Sequence, residues 1–124
     1  MSHTNFEKLD VYRLSERLAG EVWDVVVAWD EFAKATVGRQ IVRAADSIGA
    51  NIAEGSGRGS HADNKRFVRT ARGSLNETQH FLRLAYRRNL LNADQTSRIR
   101  PIVEELAPRL NAYLNSIGRF PDPE

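Results

Sequence analysis

A twelve-residue segment, SIGANIAEGSGR at positions 47–58, constrains the fold of this chain more than any other stretch. It follows an apolar helical pattern. Gly55 can adopt the left-handed conformation that ends many helices, and Gly57 keeps the backbone behind it free to turn. Ser60, with Asp63 three residues later, then predicts the start of a new helix. The segment therefore predicts two helices that meet at a tight hinge.

The polar side chains of this hinge fit a structural role better than a chemical one. Glu54 is expected to pair with Arg43 or Arg58, and Asn51 to satisfy backbone groups at the hinge. The alternative is a binding or catalytic Glu54, but a single acid without a second acid or a metal ligand offers little chemistry. The predicted structural hinge motif consists of Ser47, Asn51, Glu54, Gly55 and Gly57.

Apolar residues recur at spacings of three and four along most of the chain, which is the period of amphipathic helices. No stretch alternates as a strand does, and the connections between periodic stretches are short. The sequence therefore predicts a single all-α domain over residues 1–124, folded as an up-down-up-down four-helix bundle. The predicted helices span residues 10–28, 36–54, 60–88 and 92–117.

Two of these helices have recognisable start signals, and one contains prolines. Thr36 is the predicted cap of the second helix, and Asn92 with Gln95 reads as a capping box before the fourth. Pro101 and Pro108 lie inside the fourth helix, and each removes a backbone donor there. We therefore expect that helix to bend or to divide.

Two features predict close contacts with further helices. Tyr12, Trp23 and Val26 form a second apolar flank on the first helix, which in a small protein indicates a partner chain. Gly73 and Ser74 are small residues near the apolar stripe of the third helix, so they would let another helix approach closely. The first of these features favours an assembled protein over an isolated bundle.

The third predicted helix carries its positive charge on one side. Residues 58–88 hold eight basic groups against two acidic ones, and most are arginines, whose planar fork suits phosphate and carboxylate. Arg69, Arg72, Arg83 and Arg87 are aligned roughly 150° from the apolar stripe, and no acid shares their alignment. That apolar stripe is predicted to consist of Phe67, Ala71, Leu75, Thr78, Leu82 and Ala85.

The aligned arginines have more than one interpretation. A basic face binds the phosphates of a nucleic acid or an acidic protein, and solvation alone also explains many charged faces. Phosphate contacts would give affinity and salt dependence without sequence reading. The predicted nucleic-acid-binding residues are Arg58, Lys65, Arg66, Arg69, Arg72, Arg83, Arg87 and Arg88.

Signatures of catalysis are weak. The chain has no cysteine, its three histidines are isolated, and its glycine-rich stretch lacks the Lys-Ser/Thr of a phosphate loop. We therefore predict no catalytic residue, no metal and no cofactor, and expect a protein that is not an enzyme. The N-terminus lacks the apolar core of a signal peptide, and no membrane-spanning run is present, so we expect a cytoplasmic protein.

Three stretches of the chain resemble a known family. They are LDVYRLSERLAGEVW, IVRAADSIGANIAEGSGRGS and FVRTARGSLNET. They resemble the four-helix-bundle proteins encoded in intervening sequences of bacterial large-subunit ribosomal RNA genes, a family that includes the accessory variability determinant of diversity-generating retroelements. The matching hinge positions are Ser47, Ile48, Asn51, Ile52, Ala53, Glu54, Gly55, Gly57 and Arg58, and the later ones are Ala71, Gly73, Ser74, Leu75 and Glu77.

The resemblance implies a homopentameric barrel of bundles with a positively charged surface. In retroelement members it also implies binding to nucleic acid and to a reverse transcriptase. The leading hypothesis is therefore a non-enzymatic, oligomeric accessory protein that binds RNA or DNA backbone. The alternatives are a protein-assembly module that docks an acidic partner, such as a polymerase, and a small-molecule enzyme that uses Glu54.

Overall fold

The computed structural model describes residues 6–119 and shows a bundle of four long helices, with no strand among those residues. Predictions that concern residues 1–5 and 120–124 lie outside the described part of the chain. The helices are α1 (Asp10–Val26), the short α2 (Glu31–Ala33), α3 (Arg39–Ser56), α4 (His61–Arg87) and α5 (Ala93–Ser116). A 3₁₀ turn, Phe6–Lys8, precedes α1, and a π-helical segment, Lys34–Gly38, joins α2 to α3.

Three of the four predicted helices agree with the structure to within two residues, but the second begins earlier than predicted. Helical conformation starts at Glu31, because the Asp30 side chain accepts a hydrogen bond from the Ala33 backbone N–H at 2.9 Å. Thr36 is therefore not the cap. It lies inside the π-helical segment, and its hydroxyl donates to the Phe32 carbonyl oxygen at 2.7 Å.

The end of the second long helix also differs from the prediction. Gly55 is not a left-handed terminator, because α3 continues to Ser56 and the following Gly57 has a φ of −88°. Gly55 is buried inside the helix, where a Cβ would lie 2.7 Å from Asn64 Oδ1 and 2.9 Å from Phe67 Cβ. Glycine is required there by the close approach of α4 and not by a turn.

The hydrophobic core lies between all four long helices, and α3 makes its most extensive contacts with α4. The apolar residues at spacings of three and four in this part of the chain are all buried: Val37 in the π-helical segment, and Ile41, Ala44, Ile48 and Ile52 in α3. The α4 stripe was predicted less accurately. Val68 is completely buried and was missed, whereas Phe67 and Leu82 are only half-buried, because the buried face of α4 is turned toward Val68 and Ser74.

The two prolines do not divide α5. The predicted capping box is present, with Asn92 and Gln95 bonded reciprocally, and the helix runs without a break from there to Ser116. Both prolines are exposed. The carbonyl groups that lose their helical donors belong to Ser97 and Glu104, which are exposed as well, so water can take the place of the missing donor.

The second apolar flank of α1 is only partly internal. Val26 is buried and Tyr12 packs edge-on against Phe6, whereas Trp23 is 56% exposed. Phe32, at 79%, is even more exposed. Aromatic side chains this exposed leave apolar surface in contact with water within a single chain.

Gly55 and Gly73 form a matched pair that tests the close approach of α3 and α4. Gly55→Ala should lower the free energy of unfolding by about 1–3 kcal/mol, because the new methyl group overlaps Phe67 Cβ and the Asn64 backbone. Gly73 was expected to allow close helix approach, but a Cβ there meets no atom within 4 Å. Gly73→Ala should therefore raise stability by about 0.5–1 kcal/mol, the usual gain of Ala over Gly inside a helix.

Urea unfolding of both variants at one protein concentration measures the difference. Equal effects of the two substitutions would contradict the packing role assigned to Gly55, and destabilisation by Gly73→Ala would show that this exposed glycine faces a subunit contact.

Candidate nucleic-acid interface

The predicted arginine stripe lies on the outer side of α4. Arg69, Arg72, Arg83 and Arg87 are all exposed. The buried residues of the same helix lie on its opposite side, toward α3 and α5, and they are Val68, Ala71, Ser74, Leu75, Thr78 and Ala85. The rotational setting of α4 therefore places the guanidinium groups toward solvent.

Most of this stripe is not neutralised within the chain. Among residues 6–119, no carboxylate oxygen lies within 4 Å of the guanidinium groups of Arg69, Arg83 or Arg87. Arg72 donates to the neutral Asn111 Oδ1 at 3.3 Å, which fixes the side chain without cancelling its charge. A bound anion could therefore interact with four uncompensated arginines.

The remaining predicted basic residues differ in environment. Arg88 is exposed just beyond the end of α4, and Lys65 is half-buried beside the turn at Gly118. Neither has a carboxylate oxygen within 4 Å in the part of the chain that the structure describes. These two residues extend the basic surface at its two ends.

Arg58 and Arg66 have internal partners instead. Arg58 contacts Glu54 at 2.8 Å and Arg66 contacts Asp63 at 3.4 Å. Both guanidinium groups also lie over the ring of Phe67, at 4.7 and 4.6 Å from its centroid. These contacts give both guanidinium groups partners within the chain, unlike those of Arg69, Arg83 and Arg87.

The hinge motif is a polar seam between α3 and α4. Of the two predicted partners of Glu54, Arg43 and Arg58, the structure shows Arg58. Ser47 Oγ lies 2.9 Å from Ser74 Oγ, which links the two helices directly. Asn51 bonds to backbone within the hinge motif, as predicted, since its amide nitrogen donates to the Ser47 carbonyl oxygen at 2.8 Å; it also donates to Ser47 Oγ at 3.0 Å.

One basic residue near the stripe was missed from the sequence. Arg100 of α5 lines the same hollow between α4 and α5 as Arg83. The register of the antiparallel pair explains this, since Arg83 lies eleven residues after Arg72 and Arg100 lies eleven residues before Asn111, the partner of Arg72. Knowledge of that single contact would have been enough to find Arg100.

The other side of α5 has arginines of a different kind. Arg98 contacts Glu21 at 3.2 Å and Asp94 at 2.6 Å, and hydrogen bonds to these two carboxylates, Glu21 first, raise its pKa above the usual value. Arg109 contacts Asp10 at 2.8 Å. Arg98 and Arg109 are therefore compensated between α1 and α5, whereas the arginine stripe of α4 is not.

A family comparison identifies the relatives of this fold. A model described as "23S rRNA-intervening sequence protein" matches residues 7–112, which include α1, the hinge and the arginine stripe. The chain belongs to the 23S rRNA-intervening sequence protein family. The resemblance noted from the hinge motif is thereby confirmed. No curated protein matches the chain.

A solved structure has a similar fold. It is the crystal structure of a protein of unknown function from the S23 ribosomal protein family of Bacteroides thetaiotaomicron, with a TM-score of 0.73 and 26% identity. The match covers 84% of this chain and 97% of that one. The fold is therefore shared over almost the whole length of that protein.

Residues 6–119 contain neither a cluster of metal ligands nor a membrane-spanning helix. No group of three or more His, Cys, Asp or Glu residues in this part of the chain is placed to hold a metal ion. None of the helices within residues 6–119 combines the length and apolar character needed to cross a bilayer.

The Ser47–Ser74 contact predicts a measurable coupling between α3 and α4. Ser47→Ala and Ser74→Ala should each destabilise the bundle by about 1 kcal/mol, because each leaves one part-buried hydroxyl without its partner. The double variant should cost less than the sum of the two, by about 0.5–1.5 kcal/mol in a double-mutant cycle. Ser116→Ala, at an exposed serine at the end of α5, is the control and should be nearly neutral. Additive effects of the two seam substitutions would refute the proposed link.

Proposed function

We propose that this protein is a non-enzymatic, oligomeric accessory protein that binds the backbone of RNA or DNA through the outer face of α4. The observation that carries the proposal is the row of exposed arginines without a carboxylate partner. Charged surfaces normally mix signs, and this face does not. Phosphate groups of a polyanion would supply the missing negative charge at repeated positions.

The contact residues divide into a centre and a periphery. The centre consists of Arg69, Arg72, Arg83 and Arg87, which follow one side of a 27-residue helix. Lys65 and Arg88 extend it at either end. Arg58 and Arg66, which are held by carboxylates and by Phe67, are assigned to the hinge.

A homopentamer would multiply this face. Five copies would bring five arginine stripes together and create a field stronger than one bundle can produce. The exposed Trp23, Val27 and Phe32 give apolar surface on which subunits can pack, which supports assembly. Within a diversity-generating retroelement, such an assembly would support the reverse transcriptase and its nucleic acid in the cytoplasm.

An acidic protein partner is the second candidate function. The same unpaired guanidinium groups would bind carboxylates, so the charge pattern favours both ligands. A pull-down from nuclease-treated extract separates them. Loss of all partners after nuclease treatment supports direct nucleic-acid binding, whereas a partner that survives the treatment supports the assembly module.

A catalytic Glu54 has less support. Its carboxylate is exposed and lies 2.8 Å from the Arg58 guanidinium, which keeps it in an ion pair at the surface. A general base needs a position from which it can reach a bound substrate, and Glu54 lies on the exposed surface of the hinge beside Arg58.

Two matched pairs of arginines test the proposed interface. Arg69→Gln/Arg87→Gln removes two uncompensated charges, and Arg98→Gln/Arg109→Gln removes two that are paired. The first double variant should lower the slope of log affinity against log salt by about 2 for duplex nucleic acid, because each lost phosphate contact is worth about 0.9. The second should keep the slope of the unmodified protein. Fluorescence anisotropy across a salt series measures both slopes. If the two double variants lose the same amount of slope, binding depends on net charge alone, and the proposed interface on α4 is wrong.

Light-scattering measurement of molar mass tests the assembly. Five chains of 14.0 kDa give a mass of about 70 kDa for the proposed pentamer. Trp23→Glu places a charge on the exposed apolar flank, so it should produce smaller species that keep their helical circular dichroism spectrum. A monomeric unmodified protein would contradict the pentamer. An unchanged molar mass for the variant would show that Trp23 does not lie in the subunit interface.

A further inference from the structure

We propose that the groove between α4 and α5 binds an unpaired nucleobase on the ring of Tyr86, with the flanking phosphates held by Arg83, Arg87 and Arg100. The inference rests on the proposed nucleic-acid function and makes it more specific. It selects single-stranded over duplex nucleic acid at this end of the bundle.

Tyr86 is exposed although it is a large aromatic residue. Its side chain is 59% accessible, in the last turn of α4, and no aromatic partner lies beside it among the described residues. The ring lines a hollow of about 380 Å³ together with Leu82, Leu91 and Val103. A flat ring beside an apolar wall is a suitable platform for a base, because every base has a π-face that stacks on it.

Basic residues line the same hollows as Tyr86. Arg83 precedes Tyr86 by three residues and therefore shares its face of α4, and Arg100 lies across the groove on α5. Arg87 lines a second hollow of about 730 Å³, which also contains Tyr86 and Arg100 and so continues the first. Three arginines thus line the two hollows that the exposed Tyr86 also lines.

No acidic residue offsets these charges. Among residues 6–119, no carboxylate lines either hollow or lies within 4 Å of the three arginines, and Glu104, four residues after Arg100, is not paired with it. Arg83 and Arg87 are also one helical turn apart, an arrangement that like charges disfavour. Phosphate groups on either side of a stacked base would relieve this repulsion.

The groove on the other side of α5 provides the contrast. It is lined by Arg17 and Arg98 together with Glu21 and Glu105, and Arg98 is already paired with Glu21. The two grooves border the same helix, but only the one that contains Tyr86 combines an exposed aromatic ring with uncompensated positive charge. That combination is the requirement for binding single strands.

Single-stranded and duplex nucleic acids of equal length separate stacking from charge. Anisotropy of a labelled 20-nucleotide single strand, as RNA and as DNA, should show that Tyr86→Ala weakens binding about 5- to 100-fold, the range for one lost stacked base. Tyr86→Phe should retain the affinity of the unmodified chain, because the ring remains. The same variants should bind the matching duplex within twofold of the unmodified protein.

Controls distinguish this inference from the broader proposal. Phe32→Ala removes another exposed aromatic residue, one that lines neither hollow, and should leave single-strand binding unchanged. If Tyr86→Ala binds single strands as tightly as the unmodified protein while Arg69→Gln/Arg87→Gln loses affinity, stacking is refuted and backbone binding stands. If the unmodified chain binds no nucleic acid, both proposals fall. If Tyr86→Ala lowers the molar mass, the groove is a subunit contact and the inference is overturned.

Discussion

The packing of α3 against α4 at Gly55 is the constraint on which the rest of the structure depends. A Cβ at this position would lie within 3 Å of Phe67 Cβ, so the two helices approach as closely as their backbones allow. The Ser47–Ser74 contact holds the same two helices about two turns before Gly55 in α3. Together these contacts fix both the spacing and the rotation of α4, and that rotation decides which of its side chains reach solvent.

The rotation of α4 also decides the distribution of charge. Because Val68, Ala71 and Leu75 must face the core, Arg69 and Arg72 must face outward. Apolar burial on one side of this helix stabilises the bundle, and repulsion between like charges on the other side destabilises it. Exposed like charges one turn apart cost only about 0.2–0.5 kcal/mol per pair, so a core of this size tolerates them. A ligand that binds this face benefits from charges that the fold has already oriented.

The sequence predicted the number, order and approximate ends of the long helices, because the apolar period is strong in all four. It was less informative where two explanations share one signal. Gly55 suits a left-handed turn and a close helix approach equally well, since both require the absence of a Cβ. Asp30 and Thr36 are both good caps, and only the geometry of the chain after α1 selects Asp30.

Features that depend on the relative position of two helices were harder to predict. Arg100 joins the arginines of α4 only through the antiparallel register, which the sequence does not contain. The seam between Ser47 and Ser74 depends on the same kind of information. In contrast, the ion pair of Glu54 was predicted with Arg43 or Arg58 as its partner, and the structure shows Arg58, whose spacing of four places it beside Glu54.

The separation of structural from available arginines follows a local rule. Every arginine with a carboxylate within 4 Å in the described chain also has an acid three or four residues before it, and the pairs are Glu54–Arg58, Asp63–Arg66, Asp94–Arg98 and Glu105–Arg109. An acid that precedes its base on a helix is the more favourable order, because it agrees with the helix dipole. Arg100 has its acid four residues later instead, and the pair does not form. No acid stands three or four residues before Arg69, Arg72, Arg83 or Arg87. The spacing of acids along the chain therefore predicts that these four arginines have no carboxylate partner on their own helix.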